Sequence, residues 1–392
     1  MSDHTNKKFA GESLLFKKVA SQSSCHLILF FTRGVSLRTW AMFGMLEREI
    51  ALYLHLMRHG LKVSFVTYGD ASDLDYAGQL NGIHILCNES GMPPADYERS
   101  LCSLHGKVLS NCDVVKTNQT YGADLALAAA QQFQKRFVAR CGYMWSQNAA
   151  REYGQTSPQA VEARTVEERV FRAADRVIVT TPAMRDDVLG RVSGVESKMT
   201  VIPNYVDTKT FRPDGLERDP KTGIFVGRIA PEKNLAALLE AVSLLDVNLI
   251  LIGEGRLRPE LQRQFTALGG KVRWEGNIPN SKLPEYLNRA GFFILPSLYE
   301  GHPKALIEAM ACGTAVIGAD SPGIRELIHH GTSGFLCGTD AASIRSAIEE
   351  ILSRPELAAH LGNTARQYVV EHFSLEKMAG LEMSLLHEVI GQ

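Results

Sequence analysis

Gly291-Phe292-Phe293-Ile294-Leu295-Pro296 is a short apolar run, Ser297-Leu298-Tyr299-Glu300-Gly301-His302-Pro303 follows as a turn-forming loop, and Lys304-Ala305-Leu306-Ile307-Glu308-Ala309-Met310-Ala311-Cys312-Gly313 resumes with apolar residues at helical spacing. A strand-sized run, a loop and a helix in that order are half of a parallel β–α–β unit. The same alternation extends in both directions. Upstream, Ile224–Val226, Val247–Ile252 and Lys271–Trp274 read as strands, with helices at Leu235–Leu245, Leu257–Leu268 and Leu283–Ala290; downstream come strand Thr314–Gly318 and the helix Ala305–Ala311 that precedes it. Helical stretches Ala341–Leu352, Pro355–Glu371 and Leu375–Ile390 end the chain.

The first half repeats the pattern. His26–Phe31, Val63–Thr67, Ile83–Leu86, Asp113–Lys116, Phe137–Arg140 and Arg176–Thr180 read as strands, with helices at Ala41–His59, Leu101–Leu109 and Gly122–Gln134 among them. Between Asn204 and Gly223 the periodicity stops, and Pro203, Pro213, Gly215, Pro220 and Gly223 lie among charges, which predicts a linker. The fold class is therefore α/β, with two Rossmann-like parallel-sheet domains facing a central cleft. In open parallel sheets, ligands sit outside the carboxyl ends of the strands, so strand-to-helix loops should line that cleft. The division expected is residues 1–205, residues 206–373, and a last helix, 374–392, packing back on the first domain.

Composition agrees. A chain of 392 residues exceeds one ordinary core, and a formal net charge of −1 gives no reason to expect nucleic acid. The seven cysteines show neither metal-ligand nor redox-pair spacing, as in reduced and mostly buried thiols. Met1–Lys18 is polar without a signal-peptide core, and the run at Leu27–Phe31 is far short of the ~20 residues that span a bilayer. A cytoplasmic protein is expected, with peripheral contact at the inner face of the membrane left open.

Two loops carry the chemistry. Gly227-Arg228-Ile229-Ala230-Pro231-Glu232-Lys233-Asn234 follows a strand and opens a helix. Arg228 and Lys233 beside a helix N-terminus suit a diphosphate, although such a pair also occurs as two solvated charges. In the quoted stretch, the first free amides of the helix suit phosphate, Glu300 suits sugar hydroxyls, and Glu308 suits a ribose diol, because an ionised carboxylate only accepts hydrogen bonds. A cap-region carboxylate and a surface helix residue are the plainer readings of Glu300 and Glu308.

Glu300 and Glu308, set within Pro-Ser-x-x-Glu-Gly-x-Pro and Glu-Ala-Met-Ala-x-Gly, resemble the signature of the family 4 glycosyltransferases, retaining enzymes of the GT-B fold. Val226-Gly227-Arg228 with Lys233-Asn234, Ile252-Gly253-Glu254-Gly255, Gly276-Asn277-Ile278, Ile202-Pro203-Asn204-Tyr205-Val206-Asp207 and Pro322-Gly323 to Glu326-Leu327 are similar to further stretches of that family. The resemblance implies a hexose transferred from a nucleoside-diphosphate sugar to a hydroxyl acceptor, in polysaccharide, lipopolysaccharide or glycolipid synthesis. It implies that Arg228 and Lys233 hold the diphosphate, that Glu300 orients the sugar with the backbone of Gly301 and His302, and that the amides of Ala305 and Leu306 face phosphate. Glu308 would bind ribose, and backbone near Trp274, Glu275 and Leu283 the base, with Gly227 alongside the phosphates. His302 departs from the family, which commonly has an aromatic or aliphatic residue there; it could donate to the donor or cap its loop.

In the first half, Gly34 to Ser36 follows strand one and is assigned to the cleft by position, Gly34 toward the donor and Ser36 toward the acceptor. Arg33 and Arg38 could steer an anionic acceptor or be solvated. Lys116-Thr117-Asn118-Gln119 and Arg140-Cys141-Gly142-Tyr143 each follow a buried strand, so Lys116, Asn118, Arg140 and Tyr143 are acceptor candidates. Members of the family this chain resembles often bring a histidine or arginine near the second of these positions to the reacting sugar, so the resemblance makes Arg140 that candidate, with Arg228, Lys233 and Glu300 as its catalytic companions. No cofactor is expected, and with no Asp-x-Asp at a strand end and no His/Cys ligand set, no metal either. The partners expected are a nucleotide sugar and a carbohydrate or lipid-linked acceptor. Rival readings are a GT-B nucleotide-sugar epimerase, a Rossmann-type oxidoreductase and a catalytically silent nucleotide-sugar-binding subunit. The oxidoreductase needs a third glycine that Gly253-Glu254-Gly255-Arg256-Leu257-Arg258 lacks.

Overall fold

The computed structural model describes residues 25–391; the polar stretch Met1–Lys18 lies outside them. Seven strands form the first sheet: β1 (His26–Phe30), β2 (Lys62–Asp70), β3 (His84–Asn88), β4 (Val114–Thr117), β5 (Arg136–Cys141), β6 (Arg176–Val179) and β7 (Met199–Val201), in the order β3-β2-β1-β4-β5-β6-β7. Six form the second: β8 (Asp219–Val226), β9 (Asn248–Ile252), β10 (Val272–Gly276), β11 (Ala290–Leu295), β12 (Ala315–Ala319) and β13 (Phe335–Cys337), in the order β10-β9-β8-β11-β12-β13. The ladders are parallel, as at Leu27 opposite Val63 and Ile224 opposite Ile250.

Strand alternation explains the layering. Leu27 and Leu29 of β1 enter one apolar cluster and Ile28 and Phe30 another, so the first sheet buries both faces beneath helices. Leu375, Met378, Met383, Leu386 and Val389, all from the last helix, belong to the first of these clusters. The chain thus crosses to the second domain near Val206 and returns near Ser374. The two crossings lie side by side: Val206 N–H donates to the Phe373 carbonyl and Leu375 N–H to the Val206 carbonyl, each at 2.9 Å.

Three expectations needed correction. The predicted linker, 204–223, overlaps a strand, because β8 begins at Asp219; its first residues are exposed and polar and lack an apolar pattern. β7 and β13 were not read, being three residues each and mostly half-buried. The helix predicted over 41–59 is two helices, α1 (Leu37–Met42) and α2 (Leu46–Arg58), parted at Gly44, whose φ is +66°. A side chain at Gly44 would put its Cβ 1.9 Å from the Ile278 carbonyl oxygen of the second domain, so the break lies where the two backbones pass too closely for any side chain. Among the described residues, no helix is long and apolar enough to cross a membrane.

Candidate functional site

The loop after β8 and the loop before helix α3 (Lys304–Ala311) face each other at the carboxyl ends of adjacent strands. Lys233 Nζ donates to Glu300 Oε1 at 2.5 Å, and both side chains are largely covered. Glu300 N–H donates to the Pro322 carbonyl at 2.9 Å, which fixes the loop from the β12 side. Arg228, by contrast, stands in solvent: its side chain is 76% exposed and rests on Glu232 at 2.8 Å. Gly227 N–H is already bonded to the Ile252 carbonyl at 2.9 Å, and its own carbonyl packs against Gly253, where a Cβ would lie 2.0 Å away.

Glu308 is 1% exposed. Its Oε1 accepts from Asn280 Nδ2 at 2.9 Å and from Arg48 Nη1 at 3.4 Å, while Oε2 is buried with no partner. A buried carboxylate oxygen left unsatisfied is costly, on the order of 1–3 kcal/mol or more, and is commonly explained by a ligand or water. Lys304 opens α3, so the amides of Lys304, Ala305 and Leu306 belong to the unpaired first turn of that helix. Leu283 is buried beneath this region, and Glu275 is held by Arg273 and by Tyr286 Oη at 3.4 Å. The Trp274 side chain turns outward, where it lines a cavity of about 260 Å³ with Leu239, Leu261 and Phe265. The Trp274 carbonyl accepts from Arg258 Nη2 at 3.3 Å.

His302 replaces the expected loop contact with an enclosed one. It is 7% exposed, its ring stands edge-on to Phe373 at 5.0 Å, and neither ring nitrogen has a partner. Burial, reinforced by Arg140 and Lys304, drives its pKa down to about 3, so the imidazole is neutral at working pH. Its carbonyl accepts from Asn204 Nδ2 at 2.7 Å.

On the opposite wall, Arg140 donates to the Asn118 carbonyl at 3.2 Å and to Asn204 Oδ1 at 2.8 Å. It therefore touches the linker that also holds His302. Gly142 and Tyr143 meet Gly301 across the cleft, and a Cβ on Gly301 would lie 2.9 Å from the Gly142 carbonyl oxygen. Burial raises the Tyr143 hydroxyl to about 12, which leaves it a neutral hydrogen-bonding group. Gly34 is exposed with φ +75°, and a Cβ there would meet nothing within 4 Å. Ser36 is committed to capping α1: its Oγ accepts from Thr39 N–H at 3.0 Å, in a capping box. Arg33 is occupied by Asp124 at 2.9 Å and Glu98 at 3.3 Å.

Lys116 corrects the sequence reading. It is 0% exposed, its ammonium is paired with Glu382 of the last helix and lies over the Tyr53 ring, and burial lowers its pKa despite Glu382. It faces the core and not the cleft, because β4 ends one residue later and its alternation turns Lys116 toward the helix.

Arg48, Glu49, Asn204, Asn280 and Lys304 were missed. Glu49 Oε1 accepts from Lys304 Nζ at 2.6 Å. Burial alone would raise Glu49, but Lys304 and Arg48 outweigh it and hold the carboxyl at about 2. A signal existed: Glu49, Leu52, Tyr53 and Leu56 share one helical face, so Glu49 puts a charge on an apolar stripe.

Residues 50–210 match the family model described as Glycosyltransferase Family 4, and residues 206–368 the one described as Glycosyl transferases group 1. Alpha-maltose-1-phosphate synthase of Mycobacterium tuberculosis is 30% identical over 254 residues, 57% of this chain and 66% of that protein, just under two thirds of its length. D-inositol 3-phosphate glycosyltransferase of Thermomonospora curvata is 26% identical over 358 residues, covering 80% of this chain and 83% of that protein. Among solved structures, sucrose-phosphate synthase from Thermosynechococcus elongatus superimposes with a TM-score of 0.75 at 22% identity, over 93% of this chain and 98% of that one. Anabaena HepE in complex with UDP and glucose gives 0.74 at 19% identity, over 92% and 99%. These likenesses identify the fold as GT-B.

Proposed function

Because the chain belongs to the family 4 glycosyltransferases, whose two models it matches in order across residues 50–368, we propose that it moves a hexose from a nucleoside-diphosphate sugar to a hydroxyl acceptor with retention of configuration. The observation that carries this reading is Glu308, a buried carboxylate with one oxygen held and the other unpartnered, next to a helix N-terminus and the Lys233–Glu300 pair.

In this reading residues 206–373 bind the donor and residues 1–205 the acceptor, and the segment 374–392 returns to the first domain. Glu308 accepts from the ribose diol, and the amides of Ala305 and Leu306 face a phosphate. Lys233 has two N–H donors beyond the one given to Glu300, and Arg228 swings in from solvent; together they neutralise the diphosphate. Glu300 and the backbone of Gly301 and His302 orient the hexose, Gly34 and Gly227 border the phosphates, and backbone at Trp274, Glu275 and Leu283 meets the base. Asn118, Arg140, Tyr143 and the Ser36 region form the acceptor side.

The acceptor oxygen bonds to the anomeric carbon on the face from which the phosphate oxygen departs. The C–O electron pair goes to the diphosphate, which takes the acceptor's proton. The protein's part is positioning and stabilisation of charge on the leaving group, by Lys233, Arg228 and the helix start. No metal enters this scheme. The setting proposed is cytoplasmic, with peripheral membrane contact where the acceptor is lipid-linked.

The test is nucleotide release from UDP-, GDP- and ADP-hexoses with sugar and lipid-linked acceptors, with the product anomer read by NMR. Release of a nucleoside diphosphate, a product with the donor's configuration and an undiminished rate in EDTA are expected. Silence with every donor, or an inverted product, rejects the proposal.

A further inference from the structure

Two contacts from the first domain meet α3 of the second directly, and a third reaches it through Asn280. Arg48 Nη1 donates to Glu308 Oε1 at 3.4 Å, and Lys304 Nζ donates to Glu49 Oε1 at 2.6 Å. Asn280 N–H donates to the Gly44 carbonyl at 2.9 Å while its side chain donates to Glu308 Oε1 at 2.9 Å. Lys304 and Glu308 are four residues apart on one helical face, so consecutive residues of α2 clamp consecutive turns of α3. Of the two carboxylate oxygens of Glu308, Oε1 is held and Oε2 lacks a partner.

We propose that Arg48 is a positioning residue for nucleotide binding, and that the segment from Gly44 to Glu49 is a latch linking nucleoside-diphosphate binding to the pairing of the two domains. The inference rests on the reading of Glu308 as the ribose ligand. With Oε1 held by Asn280 and Arg48, rotation of the carboxylate is arrested and Oε2 is presented in one direction. A carboxylate so fixed binds a diol without the ordering that a free one undergoes. Asn280 belongs to the same domain as Glu308, whereas Arg48 and the Gly44 carbonyl that anchors Asn280 come from the opposite one, so the fixation is complete only while the domains are paired. A ligand that binds the paired form better must, by the same free energy, favour pairing.

The experiment uses the full chain, with UDP, GDP and ADP as calorimetric probes, on wild type and on Arg48→Met, Arg48→Lys and Glu308→Gln. Arg48→Met is expected to weaken the tightest of the three about five- to twentyfold, within the usual range of coupling between sites. It should raise the donor KM more than it lowers kcat. Arg48→Lys should recover part of the loss, which a merely structural role would not give. Small-angle scattering should show the wild type contracting on nucleotide and Arg48→Met contracting only at higher nucleotide concentration. Wild-type affinity and KM in Arg48→Met, with binding lost in Glu308→Gln, overturns the latch and leaves the donor site standing. Wild-type affinity in Glu308→Gln, or no binding of any nucleotide by the wild type, removes the donor-site reading and the latch together.

Discussion

Glu382→Leu isolates the buried ion pair that anchors the last helix, α4 (Leu375–Gly391). Lys116 and Glu382 are 0% and 1% exposed, so removing the carboxylate strands an ammonium in apolar surroundings. If it stays charged, breaking a buried pair costs about 3–5 kcal/mol. If it sheds its proton, moving a lysine from about 10.4 to neutrality at pH 7 costs roughly 3.4 × 1.36, or about 5 kcal/mol. The two routes agree. The apolar side chains of α4 in the core, Met378, Met383, Leu386 and Val389 among them, keep the helix associated. The loss should therefore appear as local opening. Hydrogen exchange at residues 375–391 should accelerate by about two to three and a half decades at 1.4 kcal/mol per decade. The double variant Lys116→Met with Glu382→Leu should return within about tenfold of wild type, because replacing both charges with apolar groups is close to neutral. Unchanged exchange in the single variant, or a double variant as loose as the single, refutes the reasoning.

Lys233→Ala leaves Glu300 without its cation and should lower donor affinity or rate at least about tenfold, as measured by nucleotide release. Arg140→Ala removes the bonds to Asn118 and Asn204 and should raise the acceptor KM while leaving nucleotide affinity near wild type; unaltered acceptor kinetics would drop Arg140 from the site. Gly44→Ala meets the Ile278 carbonyl at 1.9 Å at a positive φ, so the donor KM should rise about tenfold; an unchanged KM would show that close approach at this point is dispensable. His302 gives a pH dependence. Its folded pKa of about 3 lies below the free value of about 6.5, so the unfolded chain binds more protons in between. The contribution is complete above pH 6.5 and declines by about 1.4 kcal/mol per unit as pH falls toward 3. His302→Phe should lessen the fall of the urea midpoint between pH 6.5 and 5, and equal slopes would count against it.

The two-sheet architecture was legible because buried parallel strands are apolar on both faces and stand out, as at Leu27–Phe30 and Phe292–Leu295. The donor-side loops were legible because their residues fall in one short stretch, Glu300 to Glu308. What escaped was built across the cleft. Arg48 and Glu49 lie in a helix whose pattern is that of a core, and their partners follow some 255 to 260 residues later. No spacing rule joins such positions. Lys116 misled because a polar residue at a strand end looks the same in sequence whether it meets ligand or a helix from the far terminus. Gly44 was passed over because a single glycine in an apolar periodic segment does not by itself stop a helix, and what leaves no room for a side chain there is the Ile278 carbonyl, some 234 residues later.

The paired crossings at Val206 and Ser374 restrict how the molecule can move. A single covalent tether would let one body swivel about the other in any sense. Two backbones laid parallel and stitched by reciprocal amide–carbonyl bonds behave as a strap, yielding to flexure across its width and resisting torsion about its length. Any relative motion of the domains is thereby steered toward a single axis, which would keep Gly44 opposite Ile278.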